Sequence, residues 1–297
     1  MGLQEKVQRF SNMFLIGADP RLGVISFNPC LGEKRITSSN LGPVYSLDIE
    51  KLPRNPWQLA ELIEKTAQEA GLDCPSAFTY GVARVDRKYF VPLPEGSPEE
   101  ILYAFMTHPI PLEIEGRDGP HTCSALNIYA ILGILGLQDL PEGADILEIK
   151  AGNGYFSTIL AKSVEGSGSV TSFNVFPELE GLAQRNLKDS GIDAPNLHFY
   201  SYFRKPELFM QTCKGKFDVI ISRAALSEKQ VKGFYTLLKE GGKMLAPVYS
   251  YDEYGLVSED RAVKEKTQFR GPTSLRLLQD STETEVLEGV NFQKLYY

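Results

Sequence analysis

Two patterns of apolar residues alternate through the middle of the chain. Short apolar runs, such as ADILEI at 144–149 and FDVIIS at 217–222, have the length and composition of buried parallel strands. Segments between them place apolar residues at helical spacing, as Leu179, Ala183 and Leu187 do. The predicted order is helix 124–135, strand 144–149, helix 156–164, strand 169–173, helix 177–190, strand 196–200, strand 217–222, helix 229–239 and strand 243–248. This alternation predicts an α/β fold, a parallel sheet with helices on both faces.

The two ends of the chain show other patterns. Residues 1–53 are interrupted by GADPRLG, NPCLGEK and SSNLGP, which predicts short strands and turns rather than a helix. A helix is predicted from Pro56 to Gly71, followed by a short element at 78–85 and extended chain at 89–92. The predicted organisation is an N-terminal extension (1–53), a helical region (54–115), an α/β core (116–250) and C-terminal edge strands with a tail (251–297).

Composition narrows the class of protein. Hydrophobic residues make up 42% and charged residues 23%, as in folded proteins with a core. The net charge of −7 argues against a nucleic-acid partner, because phosphate binding needs a basic surface. No run of about 18 apolar residues is present, so no membrane span is predicted. The four cysteines are scattered without a CxxC pair, so we expect reduced thiols, no metal site and a cytoplasmic location.

A glycine-containing turn follows the first core strand. The strand at 144–149 runs into Lys-Ala-Gly-Asn-Gly-Tyr at 150–155, and a helix begins at once. In a parallel α/β sheet, ligands bind at the carboxyl ends of the strands, where glycines admit close approach and the helix offers free N–H donors. The alternative is a tight structural turn that binds no ligand.

The sequence around this turn resembles one protein family. Residues 147–155, LEIKAGNGY, are similar to the L-E-[IV]-G-[TS]-G-[ST]-G-Y motif of protein-L-isoaspartate O-methyltransferases. Other stretches resemble landmarks of that family in the same order, namely FVP at 90–92, PIP at 109–111, GPH at 119–121, PEL at 177–179, FDVI at 217–220 and GGKMLAPV at 241–248. The resemblance covers residues 54–250 and implies a seven-stranded, mostly parallel, doubly wound, Rossmann-like sheet, with 54–115 on the substrate side.

The resemblance also implies a cofactor and a reaction. Members of the family bind S-adenosylmethionine at the glycine turn and transfer its methyl group to an isoaspartyl α-carboxylate of a protein or peptide. The rate then comes mainly from holding oxygen, methyl and sulfur in line. By resemblance, Gly152 and Gly154 let the backbone approach the cofactor, and Glu148 holds backbone N–H groups of the loop. Tyr155 opens the helix, either as a packing residue or as a cofactor contact.

Three departures from the family pattern fall on the cofactor side. Lys150 replaces the first glycine of the turn, and its side chain either turns outward, pairs with the cofactor carboxylate or fills the site. Asn174 stands where the family has an acidic residue that binds the ribose hydroxyls, so the charge-assisted bond is lost. Tyr202, in a segment that replaces the family's G-D-G, either stacks on the adenine ring or, with Phe203, covers its place.

A fourth departure falls on the substrate side, where Asp118, Pro120 and His121 are expected by resemblance. Asp118 aligns with a substrate-facing serine, and its carboxylate would repel a carboxylate substrate unless a cation intervenes. Arg223, at a position where small residues are usual, supplies such a cation, which predicts an Asp118–Arg223 ion pair in the pocket. The alternative is two solvated surface charges. His121 is either catalytic or a structural, helix-capping residue.

Three functions remain open at this point. The first is a S-adenosylmethionine-dependent methyltransferase that acts on a carboxylate of a protein, peptide or small molecule. The second is a divergent relative that no longer methylates and uses the pocket for peptide binding or another reaction such as a cyclisation, which the four departures favour. The third is a nucleotide-dependent enzyme of another kind, such as a dehydrogenase. The order of the motifs favours the first.

Overall fold

The computed structural model describes residues 1–14, 18–23, 44–47, 53–91, 110–112, 121–123, 126–174, 176–201, 206–249, 273–280 and 282–290. The elements in chain order are α1 (Leu3–Met13), β1 (Ala18–Gly23), β2 (Val44–Leu47), α2 (Pro56–Ala70), α3 (Ser76–Arg84), a 3-10 helix (Arg87–Phe90), β3 (Ile110–Leu112), β4 (His121–Cys123), α4 (Leu126–Leu137), β5 (Asp145–Ile149), α5 (Tyr155–Ser163), β6 (Ser169–Asn174), α6 (Pro177–Asp189), β7 (Leu197–Ser201), α7 (Pro206–Thr212), β8 (Phe217–Ser222), β9 (Leu226–Ser227), α8 (Glu228–Tyr235), β10 (Leu238–Tyr249), β11 (Thr273–Gln279) and β12 (Thr282–Val290).

The main sheet of the described residues has the strand order β12-β11-β10-β8-β5-β6-β7, with the short β9 paired to β10. Strands β7, β6, β5, β8 and β10 run parallel, whereas β11 and β12 join antiparallel at one edge. The α/β class and the mostly parallel sheet predicted from the sequence are therefore confirmed. Because β5 is the middle one of the five parallel strands, the turn that follows it is flanked by the carboxyl ends of β6 and β8.

Each face of the sheet has its own apolar core. On β5, Ile146 faces a core that includes α2 to α5, whereas Leu147 and Ile149 face the core beneath α8. This alternation follows the two-residue period of a strand. Helix α4 is apolar on all sides and is buried along nearly its whole length, as a helix inside the first core must be.

The N-terminal segment contains a helix that the sequence analysis did not predict. Residues 3–13 form α1, whose Val7 and Phe10 are buried together with Phe14 in the first core. Leu3, Val7, Phe10 and Phe14 recur at helical spacing, but the glycine- and proline-containing stretches that follow masked this short pattern. The prediction of strands and turns is confirmed only for β1 and β2, and the apolar piece at 24–27 lies outside the described residues.

Three other elements differ from the predictions. Residues 87–90 form a 3-10 helix rather than extended chain, with the Asp86 side chain accepting a bond from Lys88 N–H. Helix α7 was not predicted. Helix α8 ends at Tyr235 instead of continuing to residue 239, because Leu238 already pairs with Phe217 as the start of β10.

Some broad expectations concern partners and chemistry. Among the described helices, none is both long and apolar enough to cross a membrane. Cys74 and Cys213 are half-buried free thiols, and burial raises the pKa of Cys74 to about 12. Within the described residues, no three His, Cys, Asp or Glu side chains come together as a metal site.

The close contact of α4 with α3 yields a test of the fold. A Cβ atom at Gly133 would lie 2.1 Å from the buried Phe78 ring, whereas one at Gly181 of α6 would meet its nearest atom at 3.5 Å. We expect Gly133→Ala to lower the free energy of unfolding by about 1–3 kcal/mol or more through overpacking. Gly181→Ala, the matched control, should raise it by roughly 0.5–1 kcal/mol through helix propensity. Urea denaturation of both variants measures this, and equal stabilities would contradict the packing of α3 on α4.

Candidate functional site

The glycine turn lies between β5 and α5, at the carboxyl edge of the sheet. Three of its residues have left-handed backbone: Lys150 with φ +68°, Gly152 with φ +58° and Gly154 with φ +87°. A left-handed φ favours glycine and disfavours a residue with a Cβ atom. Lys150 therefore occupies a position whose conformation suits the glycine of the family motif, although it carries a long charged side chain.

Most polar backbone groups of the turn are bonded within the protein. The N–H groups of Lys150 and Ala151 donate to Phe173 O of β6 at 2.9 and 3.1 Å, and Gly154 N–H donates to Ala151 O at 3.0 Å. Asn153 is fully buried and fixes the middle of the turn, since its Nδ2 donates to Phe90 O and its own carbonyl accepts from Asn186 Nδ2 at 3.0 Å. The turn is thus tied to β6, to α6 and to the 3-10 helix.

A buried ion pair supports the turn from below. Glu148 is fully buried, and its carboxylate accepts bonds from the hydroxyls of Ser157 and Ser172 and from Arg223 Nε at 2.8 Å. Glu148 was expected to hold backbone N–H groups of the loop. In the described contacts Glu148 binds side chains instead, and one of them, Arg223, also donates to Lys150 O of the turn. Glu148 therefore supports the loop indirectly, through Arg223.

Arg223 is the centre of this arrangement. Its Nε donates to Glu148, its Nη1 to Tyr129 Oη at 2.7 Å and its Nη2 to Lys150 O at 2.6 Å. The alternative of a solvated surface charge is wrong for Arg223, because only 5% of the residue is exposed. Asp118 lies outside the described residues, so the Asp118–Arg223 pair stays a prediction.

Aromatic rings and a second arginine enclose the turn on the side of the first core. Tyr155 is buried, with its ring centroid 5.7 Å from that of Phe90 and 5.5 Å from that of Tyr129. This favours the packing interpretation of Tyr155. The guanidinium of the fully buried Arg87 lies 5.9 Å from the centroid of the Tyr129 ring and 5.7 Å from that of Tyr155, within the range of cation–π attraction.

Sequence reasoning missed Tyr129 and Arg87. The sequence contains a signal for each of them. Tyr129 is the one side chain with a hydroxyl in the apolar segment 126–137, and Arg87 lies just before the FVP landmark. A lone polar group in an apolar segment predicts that it is hydrogen-bonded, but not to which partner.

The side chain of Asn174, at the end of β6, pairs with the glycine turn. Its Oδ1 accepts from Gly152 N–H at 2.7 Å, and its Nδ2 donates to Gly152 O at 3.3 Å. Asn174 is 1% exposed, whereas Gly152 is half-buried. The structure therefore brings the predicted ribose-binding residue and the predicted backbone approach point into direct contact.

The amine of Lys150 has unusual surroundings. Burial, and secondly the positive charge of Arg223, lower the pKa of Lys150 to about 7. The residue as a whole is half-buried.

A cavity of about 770 Å³ opens beside β6 and β7, between the sheet and α7. Its walls near the carboxyl ends of these strands include Phe173, Tyr200 and Phe209, and it extends to Asp145 and Lys239 at the opposite edge. Ser201, the register partner of Asn174, also lines it, and Ser201 Oγ is buried with no hydrogen-bond partner among the residues that the structure describes. An unsatisfied buried hydroxyl next to open space indicates a place for a polar ligand group or a water molecule.

Several predicted site residues cannot be placed. Pro120, Tyr202 and Phe203 lie outside the described residues, as Asp118 does. His121 is described only as backbone of β4, where it pairs with Leu112. Of the aromatic residues just before the segment that contains Tyr202 and Phe203, Tyr200 is 51% exposed and Phe199 packs against the first core.

The parallel sheet, with a glycine turn after β5 and a polar residue at the end of β6, defines a nucleotide-binding α/β protein. The family model described as Protein-L-isoaspartate(D-aspartate) O-methyltransferase (PCMT) matches residues 59–273. Because this match covers most of the chain, the protein belongs to the protein-L-isoaspartate O-methyltransferase family, as the motif resemblance predicted.

The names of similar proteins agree with this family assignment. The chain is 33% identical to the protein-L-isoaspartate O-methyltransferase of Pyrococcus horikoshii over 153 residues, which are 50% of this chain and 61% of that protein. It is 31% identical to that of Methanothrix thermoacetophila over 177 residues, which are 59% of this chain and 75% of that protein. The chain thus spans only about six tenths of the length of the Pyrococcus relative.

Solved structures show the same fold. A Plasmodium falciparum protein, assigned as a candidate protein-L-isoaspartate O-methyltransferase and solved with S-adenosyl-L-homocysteine, superimposes with a TM-score of 0.58 at 18% identity, over 82% of this chain and 99% of that one. Another protein-L-isoaspartate O-methyltransferase gives a TM-score of 0.56 at 20% identity, over 80% of this chain and 66% of that one.

Proposed function

We propose that this protein is a S-adenosylmethionine-dependent methyltransferase that acts on a carboxylate of a protein or peptide, with an isoaspartyl carboxylate as the first candidate. The observation that carries the proposal is the β5–turn–α5 unit, with Gly152 half-buried in left-handed backbone at the centre of a family match over residues 59–273. We also propose a cytoplasmic location, on the basis of the scattered free cysteines.

The residues present suit an adenosyl ligand. The cavity beside β6 and β7 has aromatic walls in Phe173 and Phe209 and a volume of about 770 Å³, within the range of small-molecule sites, but its lining includes neither Asn174 nor a residue of the glycine turn. The buried hydroxyl of Ser201 has no partner among the described residues, so a polar group of a ligand would satisfy it. Asn174 retains one lone pair and one N–H for the ribose.

The chain's own groups have defined tasks in this proposal. A bound S-adenosylmethionine would supply the methyl group, carried on a sulfonium. Gly152 allows close approach of the backbone, while Arg223 and Glu148 hold the turn in its left-handed shape. Above a pH of about 7 the amine of Lys150 is neutral, which removes one positive charge from a site for a cation. Positioning the reacting atoms then provides the rate.

The substrate side of the proposal rests on the family alone. His121 and Asp118 would lie there by the resemblance of the sequence. The alternative of a relative that no longer methylates is not favoured, since the family model and the similar proteins are protein-L-isoaspartate O-methyltransferases. The dehydrogenase alternative is excluded by membership of the methyltransferase family.

A pair of glycine variants tests the proposal. Gly152 and Gly191 both have left-handed backbone, φ +58° and +66°, so alanine strains the two positions alike. Gly152→Ala also brings a Cβ atom to 3.0 Å from Arg223 Nη2, whereas at Gly191 no atom lies within 4 Å. We expect Gly152→Ala to weaken S-adenosylhomocysteine binding at least about tenfold, a change of roughly 1.4 kcal/mol, and Gly191→Ala to leave it unchanged.

The measurement is isothermal titration calorimetry, followed by a methyl-transfer assay on an isoaspartyl peptide and its aspartyl counterpart. Methylation of the isoaspartyl peptide alone supports the substrate class. Failure of the parent protein to bind S-adenosylhomocysteine at millimolar ligand would overturn the proposed function.

A further inference from the structure

Asn174 and Gly152 form a reciprocal pair that only an amide side chain can make. Asn174 Oδ1 accepts from Gly152 N–H at 2.7 Å while Nδ2 donates to Gly152 O at 3.3 Å. An ionised carboxylate has acceptors only, so at this place one of its oxygens would face the carbonyl of Gly152 and be repelled. The amide therefore stabilises the turn in a way that an aspartate or glutamate cannot.

The same pair uses half of the hydrogen-bonding capacity of the amide. A primary amide has two acceptor lone pairs and two N–H donors, of which one each is taken by Gly152. The remaining lone pair and N–H lie on opposite flanks of the planar amide group and point away from each other. Two adjacent hydroxyls of one ribose cannot reach both flanks at once.

In α/β nucleotide-binding folds, the residue at the end of the second strand binds ribose hydroxyls, and a carboxylate there serves this task. We propose that Asn174 makes a single hydrogen bond to the ribose, because its other groups hold Gly152, and that the site therefore accepts an adenosyl ligand that lacks one of the two ribose hydroxyls. This inference rests on the proposed function and concerns which adenosyl ligands the same cofactor site accepts.

The first experiment uses the unmodified protein. The dissociation constants of S-adenosylhomocysteine and of its 2′-deoxy and 3′-deoxy forms are measured by calorimetry. We expect at least one deoxy form to bind within about threefold of the parent ligand, since a hydroxyl without a protein partner adds little affinity. Loss of tenfold or more with both deoxy forms would overturn the inference while leaving the proposed function intact. If S-adenosylhomocysteine itself does not bind, the proposed function fails.

The second experiment assigns the effect to Asn174. Asn174→Asp removes the donor to Gly152 O, so the carboxylate is repelled from that carbonyl and turns the edge that had faced Gly152 towards the ribose, where its two oxygens accept from both hydroxyls. We expect the variant to discriminate against both deoxy forms by tenfold or more, because each missing hydroxyl now breaks a charge-assisted bond. An unchanged ratio in this variant would show that Asn174 does not set the preference and would also overturn the inference.

Asn196→Asp is the matched control. Asn196 Nδ2 likewise donates to backbone carbonyls, Ala161 O at 3.0 Å and Gly168 O at 3.2 Å, but at the start of β7 and away from the turn. The same chemical change should lower stability there and leave the ratio of ligand affinities unchanged. A change of ratio in Asn196→Asp would mean that altered stability rather than ribose contact produces the effect.

Discussion

Replacing Arg223 by methionine will lower the free energy of unfolding by about 3–5 kcal/mol, because it leaves the buried carboxylate of Glu148 without its cation. Arg223 also donates to Lys150 O and to Tyr129 Oη, so the variant removes the side-chain link of the glycine turn to α4 and to the end of β8. We therefore expect S-adenosylhomocysteine binding to weaken beyond what the stability change explains. Chemical denaturation gives the first quantity, and calorimetry below the onset of unfolding gives the second.

Arg276→Met is the control for this prediction. Arg276 also bonds two carboxylates, Glu228 at 2.9 Å and Glu283, but those carboxylates are largely exposed. Exposed pairs contribute about 0–1 kcal/mol, so this variant should be near the parent in stability and in ligand affinity. A comparable loss of stability and of ligand affinity in both variants would contradict the conclusion that Arg223 supports the turn.

Replacing Lys150 by glycine will stabilise the protein, and the gain will be larger below pH 7 than above it. One part of the gain, roughly 1 kcal/mol, comes from the left-handed backbone, which glycine adopts without strain. The other part comes from the amine, whose pKa falls from 10.5 in the unfolded chain to about 7 in the folded protein through burial and through Arg223.

The sign of the pH dependence follows from proton binding. Below pH 7 both states hold the proton, and the folded state carries the full cost of a buried cation. Between pH 7 and 10.5 the unfolded state holds more protons than the folded state, so the parent gains stability as pH rises. The advantage of Lys150→Gly must therefore shrink over that window. Urea denaturation of both proteins at about pH 6 and about pH 9 measures it.

Two controls separate the contributions. Lys150→Met removes the amine but keeps the strain of the left-handed backbone. Its gain in stability over the parent should therefore shrink as pH rises, as for Lys150→Gly, but should lack the part that comes from relieving the backbone. Asp280→Gly relieves a left-handed residue, φ +48°, in the turn between β11 and β12, so it should gain roughly 0.5–1 kcal/mol at both pH values. A gain for Lys150→Gly that does not vary with pH would show that the amine is solvated.

The apolar pattern predicted the sheet because each core strand is buried on both faces and is bounded by turn residues. It failed at α1, where Val7 and Phe10 give only two turns of periodicity before an irregular stretch. The family motif placed Glu148, Gly152 and Asn174 at the strand ends where the structure has them. The sequence thus predicts where an element or a site residue lies along the chain wherever this depends on the spacing of apolar residues and on the turn residues that bound each element.

The hydrogen-bond partners of the site residues were predicted less well than their positions along the chain. Arg223 bonds Glu148 across 75 positions and Tyr129 across 94, and no local pattern relates residues so far apart. The pairing of Asn174 with Gly152 depends on the amide facing both the N–H and the carbonyl of that residue, which an alignment of the family motif does not reveal. Side-chain direction decides these contacts, and the sequence determines it only through the assembled fold.

The packing of α1 has a consequence for the order in which the chain can fold. This helix contacts α2, which soon follows it, and β12, which lies near the other end of the sequence. On a ribosome the polypeptide emerges from its N-terminal side, so the apolar face with Val7 and Phe10 is made first and meets its last neighbour only after residues 282–290 have been synthesised. Until then α1 lacks the part of its packing that β12 provides.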